Sequence, residues 1–268
     1  MITTPEEMMK HLEVRKVADL FSHEQTISKN LKKLKESMLN IGHLVDPIVV
    51  DKETNVVLDG NHRLRVLEII ECPYATCQIV DYKKDDIKVG TWFLSCGEKI
   101  DDMVKEDSVK KEKVDFKQGM DAINSLKAPF MAVRKEGDDV EAQLIDPGEY
   151  KLKEMIEDQK YVLSSLKDVE VKYIADDNAN EYLEKGNTVL FRRIYTKDDI
   201  VKAAQSNDAF PPKSTRHLIP NRIIRLNMKL GWLHESADVA QRYLEEMLKR
   251  RVYNGNVRRY SEPVVVIY

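Results

Sequence analysis

Between an apolar stretch and a helical pattern lies a polar segment of five residues: Asp59, Gly60, Asn61, His62 and Arg63. A helix N-terminus binds anions readily because its first N–H groups are unpaired and the helix dipole is positive there. Gly60 lets the backbone approach a ligand closely, and Asn61 can cap the helix. His62 and Arg63 add donors, and Asp59 can hold Mg²⁺ or orient a hydroxyl. The segment therefore predicts either a phosphate site with a metal or a base beside it, or a capped helix whose His and Arg pair with surface carboxylates.

A second group of polar side chains follows the prolines at positions 211 and 212. Its members are consecutive: Lys213, Ser214, Thr215, Arg216 and His217. Cations and hydroxyls donate the hydrogen bonds that phosphates and carboxylates accept, and an Arg can bind either group in a bidentate way. The segment predicts an anion-binding loop, and the alternative is a loop that only closes an interface between domains.

The composition argues against several classes of protein. The 268 residues carry a formal net charge of −3, so a general nucleic-acid binder is not expected. No apolar run reaches the length of a membrane span and the acidic N-terminal residues do not resemble a signal peptide, so no membrane partner is expected. The three cysteines, Cys72, Cys77 and Cys96, match no zinc spacing and predict reduced thiols in a cytoplasmic protein.

The pattern around the first polar segment supplies the elements that position it. Apolar residues at three- and four-residue spacing predict a helix over about 28–42. The runs IVV and VVL flank the turn DKETN and predict a hairpin over 48–58. A second helix is predicted from about 61 to 71, directly after the polar segment. Two further strands are predicted in YATCQIV and IKVGTWFLS.

The rest of the chain alternates helical and strand patterns after a charged stretch at 97–114, which predicts a linker or an exposed helix. Because helices are interleaved with single strands or hairpins, the predicted class is α+β (mixed α/β). Helices are predicted near 115–127, 148–167, 196–207 and 235–251, and strands in FMAVRK, AQLID, VEVKYIA, TVLFRR, IIRLNMKLGWL and PVVVIY.

This order of helix, proline-containing loop, hairpin and polar helix start resembles the ParB/sulfiredoxin fold, whose members bind nucleotide phosphates at the same junction. Within that fold, sulfiredoxin carries a reactive cysteine directly before its His-Arg pair, where this chain has Asn61. Chromosome-partitioning ParB proteins carry a Gly-Glu-Arg-Arg motif followed by a helix-turn-helix domain, whereas the second half of this chain has an αβ pattern. The resemblance to these two branches is therefore one of fold and not of activity.

Four segments resemble the motifs of the free serine kinases, archaeal enzymes with a staphylococcal branch that phosphorylate L-serine. FSHEQT resembles the family's Pro-His-Glu-Gln segment, with Ser22 in place of the proline. LDGNHR resembles Asp-Gly-His-His-Arg, with Asn61 in place of the first histidine. VGTWF and PPKSTRHLIP resemble the remaining two motifs, and the four segments follow the family's order over roughly the first 230 residues. The chain after about Leu233 has no counterpart in this resemblance.

The resemblance implies three parts along the chain. Residues 1–97 form a ParB/sulfiredoxin-like nucleotide-binding domain, and residues 98–233 form a second αβ domain that completes the substrate cleft. Residues 234–268 form a C-terminal extension of one helix and one strand.

The implied activity is transfer of a phosphoryl group from a nucleotide to the hydroxyl of free L-serine, with Mg²⁺ on the phosphates. The donor is ADP, giving AMP, in the archaeal branch and ATP in the staphylococcal branch. Glu24 is the implied general base, and Asp59 is the alternative base and the implied metal ligand. The implied nucleotide-binding residues are Ser37, Gly60, Asn61, His62, Arg63 and Lys213, with His62 also catalytic. The implied serine-binding residues are His23, Trp92, Ser214, Thr215, Arg216 and His217.

Two alternatives remain beside the serine kinase. A nucleotide-switched regulator that binds DNA or a protein, as ParB relatives do, predicts nucleotide-dependent binding with a steep salt dependence and no serine turnover. A kinase for another small hydroxyl compound predicts turnover of threonine, homoserine or glycerate. No oligomeric state is predicted, and the motifs do not choose between ADP and ATP.

Overall fold

The computed structural model of the chain describes residues 5–103, 109–166 and 169–259. The contacts divide the chain into two units. The first unit combines the chain up to Leu20, Ile27–Asp81 and the chain from Asn221 onward. The second unit combines Phe21–Thr26 with Tyr82–Pro220. The second unit is therefore formed by two separate segments of the chain, and the shorter one, Phe21–Thr26, is the segment FSHEQT.

The N-terminal elements of the first unit surround a four-stranded sheet with the order β1-β5-β3-β4. Strands β3 and β5 are parallel, and the other two pairs are antiparallel. The predicted hairpin is confirmed, with Val49 opposite Asp59 in the pairing of its two strands. The elements are α1 (Pro5–Met9), β1 (Leu12–Lys16), α2 (Ser28–Ile41), β2 (His43–Leu44), β3 (Ile48–Asp51), β4 (Val57–Asp59), α3 (Asn61–Ile69) and β5 (Tyr74–Val80).

The two helices predicted beside the hairpin are also confirmed. Leu31, Leu34 and Met38 of α2 pack against the apolar core of the unit. The helix ends at Gly42, whose left-handed backbone (φ 67°) provides the usual C-terminal stop. Helix α3 packs Leu64 and Leu67 into the same core, so its first residues are fixed at the end of β4.

The second unit is built on a six-stranded antiparallel sheet with the order β11-β7-β12-β9-β10-β8. A separate two-stranded ladder joins β6 to β13. The elements are β6 (Lys88–Gly90), β7 (Trp92–Cys96), α4 (Ile100–Met103), β8 (Lys111–Lys113), α5 (Phe116–Asn124), β9 (Phe130–Glu136), β10 (Asp139–Ile145), α6 (Leu152–Ser165), β11 (Lys172–Ala175), α7 (Ala179–Glu184), β12 (Thr188–Phe191), α8 (Lys197–Gln205) and β13 (Arg216–Leu218).

Successive residues of the central strands enter two different apolar cores. Phe130 and Ala132 of β9 pack with Val162 of α6, whereas Met131 and Val133 pack on the other side with Ile123 of α5. This alternation follows from the two-residue period of a strand and shows that both faces of the sheet are covered by helices. The stretch predicted as a linker or exposed helix instead contributes β8 to this sheet, because its residues pair with β10.

The chain returns to the first unit through an irregular segment and ends its described part with β14 (Met228–Lys229), α9 (Leu230–Leu233) and α10 (Ala237–Tyr253). Leu244 and Leu248 of α10 complete the core of that unit, and Gln241 accepts a hydrogen bond from the backbone N–H of Val14 (2.9 Å). The predicted strand IIRLNMKLGWL is wrong for most of its length, since only two of its residues pair as β14 and the last four form α9. The predicted final strand PVVVIY lies outside the described residues.

The three-part division predicted from the sequence differs from the division by contacts. Strand β7 belongs to the second unit, and α10 belongs to the first unit instead of forming a separate extension. The physical reason is the amphipathic character of α10, whose apolar residues need the core that the N-terminal elements leave incomplete. The predicted α+β class is confirmed. Cys72, Cys77 and Cys96 are buried and free, and no helix in the described ranges is long and apolar enough to cross a membrane.

Candidate functional site

The polar segment at the start of α3 has a backbone that requires glycine. Strand β4 ends at Asp59, and Gly60 then adopts a left-handed conformation with φ 103° before the helix begins at Asn61. A Cβ atom on Gly60 would lie 2.9 Å from Nη2 of Arg63. The absence of a side chain therefore serves two purposes: it permits the turn and it lets the Arg63 guanidinium fold back over the turn.

Two arginines converge on one carboxylate at this junction. Arg63 and Arg222 both donate to Oδ2 of Asp59 through Nη2. Arg63 also lies 3.6 Å from Oδ2 of Asp46 through Nη1 and donates to the carbonyl oxygen of Pro47 (3.4 Å). Burial alone raises the pKa of Asp59, but the charges and hydrogen bonds of Arg63 and Arg222 outweigh it and lower the pKa below 3.8. Asp59 is therefore ionised at neutral pH and holds the two guanidinium groups together.

This arrangement suits an anion. Two guanidinium groups lie beside the N-terminus of α3, Arg222 is 41% exposed, and Nε of Arg63 is buried without a hydrogen-bond partner among the described residues. Phosphate oxygens accept bidentate hydrogen bonds from arginine and interact favourably with a helix N-terminus. The junction thus has the donors of a phosphate site, and its carboxylates neutralise part of the charge until an anion arrives.

The carboxylate of Asp59 also bears on a possible Mg²⁺ site. No group of three or more His, Cys, Asp or Glu side chains that could hold a metal exists within the described ranges. Magnesium on a nucleotide usually takes only one or two carboxylates, with phosphate and water oxygens as its other ligands. Asp59 fits that pattern in chemistry, and both of its arginines bind Oδ2, so Oδ1 is the oxygen that suits the ion.

His62 and Ser37 occupy different surroundings. Nε2 of His62 accepts a hydrogen bond from the backbone N–H of Ile27 (3.0 Å), the residue before the first residue of α2. The imidazole therefore fixes the start of α2 beside α3 through a nitrogen that carries no proton. Ser37 lies exposed on α2. His62 thus links the start of α3 to the start of α2, and its predicted catalytic and nucleotide-binding roles stay predictions.

In the second unit, the segment that contains Glu24 is paired with the segment before Lys213. Phe210 donates to the carbonyl oxygen of His23 (2.9 Å) and accepts from the N–H of Gln25 (2.9 Å). This ladder aligns Glu24 with Thr215, whose N–H (2.8 Å) and Oγ1 hydroxyl (2.9 Å) both donate to Oε1 of the carboxylate. Two residues that are 191 positions apart in sequence thus form one fixed unit.

His23 extends this unit. The side chain is fully buried, and its Nε2 lies 2.7 Å from Oγ1 of Thr215. Because the single hydroxyl proton of Thr215 is donated to Glu24, Nε2 of His23 must carry the proton of the second hydrogen bond. The His23 ring meets the ring of His217 edge-on at 5.4 Å, and Nε2 of His217 lies 2.7 Å from the hydroxyl of Tyr82. The result is a relay from His23 through Thr215 to Oε1 of Glu24, supported by His217 and Tyr82.

Two cationic side chains lie over the ring of Trp92. Nζ of Lys213 lies 5.0 Å and Cζ of Arg216 lies 5.8 Å from the ring centroid. Arg216 also forms ion pairs with Asp176 (3.1 Å) and Asp177 (3.0 Å). Burial lowers the pKa of Arg216, but the hydrogen bonds and charges of Asp177 and Asp176 outweigh it and raise the pKa above its usual range. The cluster thus contains charges of both signs next to an aromatic surface.

Ser214, which was predicted to bind the substrate serine, lies in the protein interior. Its side chain is fully buried, Oγ donates to the carbonyl oxygen of Pro211 (2.7 Å) and accepts from Nη1 of Arg192 (2.7 Å). Its own carbonyl oxygen accepts from Oγ1 of Thr91 (2.8 Å). With both groups engaged inside the protein, Ser214 holds the segment in place and does not face a ligand.

The sequence interpretation missed several residues of these two groups, among them Asp46, Asp176, Arg192 and Arg222. Arg222 follows Pro220 by two positions, close enough to the predicted motif to be considered. Arg192 directly follows an apolar strand and stands beside Arg193, and nothing in the local pattern tells a buried arginine from an exposed one. Asp46 stands in a loop and Asp176 begins a short 3-10 helix, and single acids are common in both settings.

Comparison with known proteins finds curated relatives that are named L-serine kinases. No family model matches the chain. An ADP-dependent L-serine kinase of Thermococcus kodakarensis is 27% identical over 221 residues, which cover 78% of this chain and 87% of the relative. An ATP-dependent L-serine kinase of Staphylothermus marinus is 26% identical over 233 residues, which cover 79% of this chain and 88% of the relative.

The solved structures agree with these relatives in fold. A variant of free serine kinase in complex with AMP has a TM-score of 0.71 and 22% identity, covering 83% of this chain and 93% of that chain. C-terminally truncated SbnI from Staphylococcus aureus also has a TM-score of 0.71, at 20% identity, covering 91% of this chain and 98% of that chain. The fold is that of these αβ proteins, as the resemblance to the ParB/sulfiredoxin fold implies. The predicted resemblance to the free serine kinases is confirmed by the curated relatives and by this shared fold.

Proposed function

We propose that this protein is a kinase that phosphorylates the hydroxyl of free L-serine and releases O-phospho-L-serine. The proposal rests on the Glu24–Thr215–His23 relay, which presents an oriented carboxylate in the second unit. It is supported by the L-serine kinases to which the chain is similar. ADP is the proposed donor, with AMP as the second product, and ATP is the alternative donor.

Glu24 is the proposed general base. Oε1 already accepts two hydrogen bonds from Thr215, so Oε2 is the oxygen that takes the proton of the serine hydroxyl as the phosphoryl group is transferred. Asp59 is the weaker candidate, because two arginines bind its carboxylate and lower its pKa. A base that is strongly paired with cations attracts a proton less well.

The junction of the first unit is the proposed nucleotide site. Gly60, Asn61 and the N-terminus of α3 face the phosphates in this proposal, with Arg63 and Arg222 as the cations that neutralise their charge. Asp59 would hold Mg²⁺ together with the nucleotide phosphates, and the ion would supply further positive charge near the transferred phosphoryl group. We also assign His62 to hold α3 against α2, and Ser37 to a contact with the nucleotide.

The charged cluster around Trp92 is the proposed serine site. Free serine is a zwitterion, and the Arg216–Asp176 pair provides one charge for its carboxylate and one for its ammonium group. Lys213 is the proposed contact of the phosphoryl oxygens, because it has a single charge on a flexible stem. His217 supports His23 through ring contact. The nucleotides and amino acid involved are cytoplasmic metabolites, so we assign the protein to the cytoplasm.

One assay tests the function directly. The protein is incubated with L-serine, Mg²⁺ and either ADP or ATP, and O-phosphoserine is measured by mass spectrometry beside AMP or ADP formation. Phosphoserine with one donor identifies that donor, and no phosphoserine with either one contradicts the proposal. Threonine, homoserine and glycerate in parallel reactions test the acceptor. Nucleotide-dependent DNA binding without any turnover would instead support the regulator.

A further inference from the structure

Arg192 is a buried cation in the second unit whose role the proposed reaction does not yet explain. The residue directly follows β12 and is only 1% exposed. Nε donates to the carbonyl oxygen of Trp92 (3.1 Å), and Nη1 donates to Oγ of Ser214 (2.7 Å). Nη2 is buried without a hydrogen-bond partner, and no ion pair joins Arg192 to a carboxylate in the part of the chain that the structure describes.

Such a side chain is costly to bury. A guanidinium group loses its hydration inside a protein, and a paired carboxylate normally offsets that loss. Here burial lowers the pKa of Arg192, and interactions with Tyr195, Tyr173 and Glu24 oppose the shift only in part. The group still carries its proton at neutral pH because a guanidinium is a very strong base. An apolar side chain would fill the same volume at a lower cost, so the stability of the sheet alone does not account for an arginine.

The two hydrogen bonds show what the guanidinium connects. Trp92 carries Lys213 and Arg216 on its ring, and Ser214 lies between Lys213 and Thr215 in the chain. Thr215 in turn orients Glu24 through two hydrogen bonds. Arg192 therefore fixes both segments of the proposed serine site with one rigid planar group, which a lysine with a single nitrogen cannot reproduce.

We propose that Arg192 is a positioning residue for phosphoryl transfer to serine. It sets the distance between the Trp92 segment and the Ser214–Thr215 segment, and its charge attracts the carboxylate of Glu24 toward the same place. This inference rests on the proposed function. Misplacing a reacting group by about an ångström lowers catalysis by up to about a hundredfold, so loss of Arg192 should act on the serine step.

The test compares Arg192→Met and Arg192→Lys with Arg193→Met as the matched control. Arg193 is the next residue and has an ordinary structural role, since it pairs with Asp199 (2.8 Å). For each variant, kcat and KM for serine, the Kd for ADP and the melting temperature are measured. Arg192→Met should raise KM for serine and lower kcat, with kcat/KM reduced at least about tenfold and the Kd for ADP within about twofold of wild type. Arg192→Lys should have a kcat/KM for serine between those of wild type and Arg192→Met. Arg193→Met should have a lower melting temperature than wild type and unchanged kcat and KM for serine.

A second variant keeps the test decisive if Arg192→Met does not fold. Ser214→Ala removes one partner of Arg192 with little change in volume, and it should lower kcat/KM for serine in the same direction with nucleotide affinity unchanged. Unaltered serine kinetics in folded Arg192→Met, or in Ser214→Ala where the former does not fold, would overturn the inference. A loss of ADP affinity as large as the loss of kcat/KM for serine would also overturn the inference. Failure of the proposed function is distinguishable, because the wild-type protein in that case makes no phosphoserine at all.

Discussion

The two groups of functional residues differ in how their charges are balanced. In the first unit, Arg63 and Arg222 face Asp59 and Asp46, and Arg222 is exposed to solvent. In the second unit, His23 and Ser214 are fully buried, and Arg192, which donates to Ser214, has no ion pair with a carboxylate among the described residues. In the proposed function, the first group exchanges its internal partners for a phosphate, whereas the second is held by internal hydrogen bonds.

This difference separates binding from orientation. The Arg222–Asp59 pair is partly exposed, and such pairs contribute little to stability, so a nucleotide can replace this pair at a low cost. A buried hydrogen-bond network loses more when a member is removed, because its remaining polar atoms lose their partners. Substitutions in the first group should therefore change nucleotide affinity, and substitutions in the second group should change the reaction of serine. The predictions that follow test this division.

The largest effect is expected for Glu24→Gln. The amide preserves the size of the side chain and an oxygen that accepts from Thr215, but it cannot take the proton of serine. Phosphoserine formation should fall by at least about a hundredfold, while the Kd for ADP stays near the wild-type value. Turnover is followed by mass spectrometry and binding by calorimetry. Glu36→Gln, an exposed change on α2, is the control, and near-normal turnover in Glu24→Gln would assign the base to another residue such as Asp59.

The next effect concerns Arg63→Met. Loss of the guanidinium removes the side chain that bridges Asp59 and Asp46, and with it the charge-assisted hydrogen bonds proposed for the nucleotide phosphates. The Kd for ADP should rise about thirtyfold, in line with the loss of one or two such bonds. KM for serine, measured at saturating nucleotide, should change much less.

Arg65→Met provides the matched control for Arg63→Met. Arg65 lies on the same helix but is exposed, and its ion pair within the described part of the chain is with Glu68 of that helix (2.7 Å). Its removal should leave the Kd for ADP unchanged. A comparable loss of affinity in both variants would mean that the helix as a whole, and not the Arg63 guanidinium, determines nucleotide binding.

The same division explains what the sequence could predict. Part of the first group is contiguous from Asp59 to Arg63, so local patterns were sufficient to place this part between a strand and a helix, whereas Asp46 and Arg222 lie outside that segment and were missed. The second group joins His23, Thr215 and Arg192 from three distant segments, and only the resemblance to a family brought the first two together. The burial of Ser214 was not foreseen, because a serine in a polar motif has the same local pattern whether it faces a ligand or the protein interior. The packing of α10 in the core of the first unit was not foreseen for a related reason, since the sequence of an amphipathic helix does not reveal which core its apolar face covers.

A smaller effect is expected for Arg216→Ala in the second unit. The variant loses the cation that we assign to the serine carboxylate and leaves Asp176 and Asp177 without their partner. KM for serine should rise about tenfold and kcat should fall, with the Kd for ADP little changed. Lys213→Ala is the informative comparison, because its effect should fall mainly on the phosphate-bearing ligand. If Arg216→Ala weakens ADP binding as strongly as serine binding, the division between the two groups does not hold at this residue.

The smallest effect concerns the stability of the first unit in acid, without nucleotide. The pKa of Asp59 is lowered by Arg63 and Arg222 in the folded chain, so its ionised form favours folding. That contribution is fully present above the ordinary pKa of 3.8 and is lost as the pH falls through the lower pKa of the folded state. At pH 7, Asp59→Asn should therefore melt a few degrees below wild type. The gap should narrow as the pH falls from about 5 to about 2, because the wild-type carboxylate is then protonated as well. Asp19→Asn, an exposed change in the same unit, should show no such convergence, and a constant gap for Asp59→Asn across the range would mean that packing and not charge accounts for its cost.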